Sequence, residues 1–266
     1  MKVLAHRGDH RTAPENTLAA FRSALRDGFG LETDLRLTDD DSLVLLHDRN
    51  LRRVSDVDAT VDQLSLDELK TVEVGPSANP HVVPTLPELL EIFVAEATPS
   101  AELALHLKAV DNETAALRVV ETLERWARRT DRDLLEQIVV FDVTVNIARA
   151  IKRANPSIRV GLSIGESDHF PDEEHPTIYP FEAVGELDCW DVAWADEWTG
   201  SLYTDGFFRE LREKDKTVIS VSPELHANTD PRHPKADSPA DIWQTLERLG
   251  VDGVCTDFPE RISERQ

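Results

Sequence analysis

The chain has 266 residues, 40% hydrophobic and 30% charged, which is too long for a peptide module and too apolar for a disordered segment. Asp and Glu number 51 against 29 Lys and Arg, a formal charge of −22. A surface that negative repels nucleic acid and anionic lipid, so neither is expected as a partner, and no stretch approaches the eighteen apolar residues of a membrane span.

The elements follow in alternation. A short apolar run, Val3 to Ala5, leads to a helix whose positions Leu18, Ala19, Phe21 and Leu25 fit a 3.6 period, with Thr17 or Asn16 as its cap and Gly28 as its stop. A second strand covers Gly30 to Leu37, and Leu43 to Leu46 is a further short apolar run. Residues 50–80 are polar and aperiodic apart from a capping pattern at Ser65-Leu-Asp-Glu68, and are expected to form an insertion. The alternation then resumes: a helix from Leu86 to about Glu96, a strand Glu102 to Leu107, a helix Glu113 to Arg128, a strand Gln137 to Phe141, a helix Val145 to Ala154 and a strand Ile158 to Ser163. After a loop or short helix come a strand Trp190 to Trp194, a helix Thr204 to Lys214, a strand Val218 to Val221, a helix Ala240 to Leu249 and a last strand Gly253 to Thr256. Eight principal strands in such alternation predict an α/β chain with a (β/α)8 TIM-type barrel in one domain over residues 1–266, with a small insertion after the second strand. A doubly wound sheet would offer a Gly-rich first turn, and none is present.

In such a barrel, reactive groups gather at the C-terminal ends of the strands. The first strand ends in His6-Arg7-Gly8, and the second carries Glu32 and Asp34, two apart and on one face. The run after it ends in His47-Asp48, and the third strand carries His106 and Lys108, again on one face. Each alone is weak evidence, since strand-end histidines and paired carboxylates are commonly structural or solvated. Their convergence on one rim is what points to chemistry.

The wording of these pieces carries more. His6-Arg7-Gly8, then Pro14-Glu15-Asn16-Thr17, then Gly30 to Thr38 (GLETDLRLT), then His47-Asp48 closely resembles the glycerophosphodiester phosphodiesterase family, densely over residues 3–56 and more loosely at Val83 to Glu88 and at Gly250 to Asp257. The resemblance implies a TIM-type barrel that hydrolyses a small phosphodiester with a divalent cation, Mg²⁺, Ca²⁺ or Mn²⁺. It implies His6 and His47 as the general acid/base pair, Glu32 and Asp34 as metal ligands and Arg7 as the phosphate-binding arginine. Imidazole suits both proton-transfer roles because its ordinary pKa lies near neutrality. Lys108 joins Arg7 on the phosphate side, and Glu15 stands where it could orient a histidine or contribute to the ion's surroundings.

Three positions depart from the family. Its third strand usually reads Glu-x-Lys, with the Glu as third ligand, and His106 stands there instead; Glu166 is another rim carboxylate available to the ion. The serine usual near the end of strand four is missing from Val139-Val140-Phe141-Asp142, and Ser220 to His226 replaces the family's Trp-Thr-Val-Asn pattern. A diester other than a simple glycerophosphodiester therefore stays open, as do a phospholipase D-like activity on a lysophospholipid and a catalytically silent barrel that binds a phosphodiester or metabolite. The long polar stretch from Ser222 to Pro239, with His226 and His233, is a candidate cover for the mouth, and Trp190, Trp194 and Trp198 flank strand six.

Only seven of the 29 basic residues are lysine, which with the acidic excess suggests adaptation to a salty cytoplasm where counterions screen self-repulsion. The opening MKVLAHRGD has no apolar signal-peptide core, and Cys189 and Cys255 match no zinc or redox spacing. A cytoplasmic location and two buried apolar cysteines are expected. The released alcohol and the oligomeric state stay open.

Overall fold

Strands covered on both faces read as near-continuous apolar runs, and the runs identified in the sequence form a closed barrel. The computed structural model describes residues 1–109, 111–166, 177–197, 202–227 and 239–263. Its barrel strands are β1 (Lys2–His6), β2 (Gly30–Leu37), β3 (Leu103–Leu107), β4 (Ile138–Phe141), β5 (Arg159–Gly165), β6 (Val192–Ala195), β7 (Thr217–Val221) and β8 (Gly253–Thr256). Each pairs in parallel with the next, and β1 closes the ring by pairing with both β2 and β8.

Alternation along each strand divides two apolar layers. Leu4, Ala104, Val139, Phe141, Val192, Trp194, Ile219, Val221 and Cys255 pack together inside the barrel. Their neighbours, among them Ala5, Leu31, Leu105, Val140, Leu162, Ala193 and Val254, belong to the larger core shared with the helices. Those helices are α1 (Leu18–Arg26), α2 (Leu86–Glu96), α3 (Glu113–Ala127), α4 (Val145–Ala154), α5 (Asp205–Glu213) and α6 (Pro239–Leu249). Their starts are set by the side chains expected to accept orphan N–H groups: Thr17 for α1, a Thr85/Glu88 capping box for α2, Asn112 for α3 and Thr144 for α4. At the base of the barrel, Glu102 is buried between Lys2 Nζ and Arg159 Nη1, each 2.7 Å away.

Differences from the expected elements have local causes. Residues 50–80 are not merely a polar excursion. After the strand Leu43–Leu45 turns back antiparallel on the end of β2, Leu51, Val61, Leu69, Val72 and Val74 join Val44, Leu46 and Val83 in a separate small core. Strand six starts two residues later than expected, and Trp190 precedes it. Its indole is buried in the outer core, donating to the Val184 carbonyl at 3.0 Å with Lys216 Nζ 4.2 Å from the ring centre. Trp190 therefore does not flank the mouth, whereas Trp194 points inward and stacks on Phe141 at 3.8 Å. Trp198, His233 and most of the polar stretch after β7 lie outside the described residues. Both cysteines are buried and unpaired, and among the described residues no helix is long and apolar enough to cross a membrane.

The excess of acidic over basic side chains sets an expectation for stability. Self-repulsion is strongest in dilute buffer, so the melting temperature should climb steeply from low to molar KCl, past the range in which ordinary surface pairs are screened. A salt-indifferent melt would remove the reading of salt adaptation.

Candidate active site

Register brings the rim residues together. In the β1–β2 ladder His6 pairs with Glu32, and in the β2–β3 ladder Asp34 pairs with His106. Glu32 and Asp34 are both buried. Around Asp34 stand Lys108 Nζ at 3.1 Å, Arg7 Nε at 3.3 Å, His106 Nδ1 at 3.4 Å and Asn16 Nδ2 at 3.0 Å. Burial alone would raise its carboxyl, but Lys108, His106, His47 and Arg7 hold it well below the ordinary range. Glu32 has less help. Among the described residues its carboxylate accepts one long bond from the Arg7 backbone N–H, 3.3 Å, and stands 3.9 Å from His6 Nε2. Burial, and then the Asp34 charge, push Glu32 well above the ordinary range.

The segment Pro14 to Thr17 divides its labour residue by residue. Thr17 caps α1, and Asn16 turns inward instead of capping, held by Thr33 Oγ1 at 2.7 Å so that its amide donates to Asp34. Glu15 binds Arg7 Nη1 at 3.1 Å and both terminal nitrogens of Arg53 at 2.7 and 2.8 Å. Arg7 itself sits at φ +57°, and the following Gly8 is required by its own φ of +81° and by the α1 backbone: a Cβ there would lie 2.8 Å from Ala20 C.

Both candidate acid/base histidines have Nδ1 tied to a carboxylate. His6 Nδ1 is 2.7 Å from Asp257 Oδ1, an oxygen that His10 Nε2 also reaches at 3.0 Å. His47 Nδ1 is 2.6 Å from Asp48 Oδ1, and Arg53 holds the other Asp48 oxygen. Arg36, one alternation beyond Asp34, donates to the His47 carbonyl at 2.8 and 2.5 Å. Burial lowers the pKa of His6 against the opposing bond to Asp257. Burial, with Lys108 and Arg7, lowers His47 to about 4.

The third-strand histidine is held from both sides. His106 Nε2 lies 2.6 Å from Asp142 Oδ2, and Ser163 Oγ donates to Asp142 Oδ1 at 2.7 Å. Glu32, Asp34 and His106 each offer a donor atom, all within 4.8 Å of one another. Two hard carboxylates and one imidazole suit a divalent ion, and the undercompensated charge of buried Glu32 favours one. Glu166 is buried just past β5 and is not part of that group.

Sequence reasoning placed His6, Arg7, Glu32, Asp34, His47, His106 and Lys108 at one rim and singled out Glu15 near the start of the first helix, and the structure brings all eight into this network. It missed the partners that orient them: Asn16 on Asp34, Arg53 on Glu15, Asp257 on His6 and Asp142 on His106. Asp142 and Asp257 are each the first residue after a barrel strand, a positional signal that could have singled them out; Arg53, from the insertion, had none.

Known proteins resemble this chain over most of its length. A glycerophosphodiester phosphodiesterase of Caldanaerobacter subterraneus subsp. tengcongensis is 27% identical over 162 residues, 60% of this chain and 65% of that protein. One from Bacillus altitudinis is 24% identical over 265 residues, covering 98% of this chain and 96% of that one. Among solved structures, an Oleispira antarctica phosphodiesterase in complex with the product sn-glycerol-3-phosphate superposes with a TM-score of 0.75 at 23% identity, covering 99% of this chain and 96% of that one, a likeness of fold. The profile of the glycerophosphoryl diester phosphodiesterase family matches from His6 to Arg261, and the chain belongs to that family.

Proposed function

We propose that this protein hydrolyses a small phosphodiester of the glycerophosphodiester class to an alcohol and a phosphomonoester. His6 and His47 are its acid/base pair, and Glu32, Asp34 and His106 hold a divalent ion. The observation that carries the reading is the pair of imidazoles, each with Nδ1 fixed by a carboxylate, at the rim that also holds the buried Glu32/Asp34 pair. The relatives named as glycerophosphodiester phosphodiesterases, and the glycerol phosphate product bound by the Oleispira enzyme, support the substrate class.

The chemistry of each group follows from its setting. When bound, the ion supplies positive charge against a phosphoryl oxygen. Arg7 pairs with Asp34 through its buried Nε and keeps part of its guanidinium exposed at the rim, where it can donate to a phosphoryl oxygen. Lys108 adds a second positive charge beside it. Glu15 acts through Arg7, holding the guanidinium from behind together with Arg53. In the neutral histidines the proton sits on Nδ1, facing Asp257 or Asp48, and the Nε2 lone pair is left for proton transfer. One imidazole takes a proton from the attacking water or hydroxyl, and the other, protonated, gives one to the leaving alkoxide.

The test is turnover of a phosphodiester panel with and without Mg²⁺, Mn²⁺ and Ca²⁺. Hydrolysis should require an ion, and His6→Ala and His47→Ala should remain folded while losing about 10²- to 10⁴-fold in rate. Near-native rates in either variant would remove that histidine from the mechanism. Binding of diesters without turnover under any condition would make the protein a silent barrel.

A pH effect on stability follows from His47. Unfolded, its imidazole takes up a proton near pH 6.5; folded, it resists until about pH 4. The unfolded chain therefore binds more protons between these limits, and this residue's contribution destabilises the fold progressively as pH falls from 6.5 to 4. In chelator-treated protein, His47→Gln should flatten the fall in melting temperature across that window. An unchanged slope would show that His47 titrates normally.

A further inference from the structure

His106 is the one member of the proposed ligand set that differs from the family's carboxylate, and its surroundings specify which nitrogen faces the ion. The 2.6 Å contact between His106 Nε2 and Asp142 Oδ2 is a hydrogen bond, and an ionised carboxylate can only accept. Nε2 therefore carries the proton. The β3–β4 register, which pairs His106 with Phe141, brings Asp142 against the His106 ring. The second Asp142 oxygen is occupied by the Ser163 hydroxyl, so the carboxylate has little freedom to turn away. Phe141 lies against the His106 ring, centroids 5.0 Å apart, and closes one side to rotation. Asp142 also holds a left-handed backbone conformation, φ +60°, a cost tolerated where surrounding structure fixes it.

With Nε2 held by Asp142, Nδ1 is the ring nitrogen that faces Asp34 Oδ1, at 3.4 Å. A lone pair facing a carboxylate is repulsive unless a proton or a cation lies between them. The separation is too long for a strong hydrogen bond and suits two donors that share one ion. We propose that Asp142, anchored by Ser163, is a positioning residue that fixes His106 as a nitrogen ligand and so turns the centre's preference from Mg²⁺ and Ca²⁺ toward Mn²⁺ and other transition ions. The inference rests on the ligand set proposed above. Imidazole nitrogen is a poor donor for Mg²⁺ and Ca²⁺ and a good one for transition ions, and a carboxylate behind a ligating imidazole fixes its tautomer and raises its basicity.

The experiment is calorimetric titration of chelator-treated full-length protein with MnCl₂ and with MgCl₂, alongside nitrogen NMR of ¹⁵N-histidine-labelled protein. Asp142→Ala should weaken Mn²⁺ binding by about 10- to 100-fold and Mg²⁺ binding much less. Asp142→Asn, whose amide oxygen can still accept from Nε2–H, should recover part of the loss and serves if the alanine variant does not fold. In the ion-free wild type, His106 should show a protonated Nε2 and a bare Nδ1, a preference lost in Asp142→Ala. A doubly protonated His106 bridging the two carboxylates at neutral pH would overturn the proposal. So would Mn²⁺ affinities of the Asp142 variants within twofold of wild type while His106→Ala binds weakly. If His106→Ala itself binds Mn²⁺ as wild type does, the ligand set proposed above fails, and this inference fails with it.

Discussion

Two carboxylates side by side on one strand, buried at the mouth of a barrel, are the constraint around which this site is organised. Glu32 and Asp34 cannot both be ionised in a desolvated setting without nearby positive charge, and the structure distributes that charge unequally. Among the described residues, Asp34 receives Lys108, Arg7, Asn16 and His106, while Glu32 has a single long N–H contact and a histidine at 3.9 Å. Burial and the neighbouring Asp34 charge therefore push the pKa of Glu32 up, while the cations around Asp34 hold that of Asp34 down. A divalent cation held there would relieve that imbalance. The positions of Arg7, of the Pro14 to Thr17 segment and of the third strand all follow from meeting this one demand.

The network does not stop at the barrel. Arg53 comes from the insertion, yet it grips both Glu15 behind Arg7 and Asp48 behind His47. The insertion's own apolar core holds Arg53 on a packed unit, and one cation thereby fixes the carboxylates behind Arg7 and His47 together. This matters in a chain of −22, whose overall field repels an anionic diester. Arg7, Arg36, Arg53 and Lys108 set positive charge among the carboxylates at the mouth, and charge–charge attraction there is short-ranged.

What the sequence could disclose follows from periodicity. The alternation of β strands put Glu32 with Asp34 and His106 with Lys108 on common faces, and eight apolar runs separated by helical patterns predicted the closed parallel barrel that is observed. Errors at element ends were of one or two residues, as at Trp190, where an aromatic that resembled the start of a strand instead packs among the helices. Partners across the rim were not legible in the same way. Asp257 reaches His6 over 251 residues of chain, and Arg53 reaches Glu15 over 38. Asp142 acts from a left-handed turn where strand alternation no longer predicts direction. Asn16 was readable as a helix cap, the commoner use of that residue type, until Thr17 took the role and freed it to face Asp34.

Among the described residues, five other than glycine have positive φ, and three of these, Arg7, Asn16 and Asp142, converge on the Glu32/Asp34/His106 group. Each donates to or holds a group that must not move: Arg7 and Asn16 on Asp34, Asp142 on His106. Backbone strain of this kind persists only where neighbouring structure over-determines it, here through barrel closure and the packing of Gly8 on α1. The replacement at position 106 fits the same logic. An imidazole in place of a carboxylate removes a negative charge beside Glu32 and Asp34, but Asp142 returns one a single ring away. The number of carboxylates around this group is thereby kept while the side chain that faces Asp34 from the third strand offers a nitrogen in place of an oxygen.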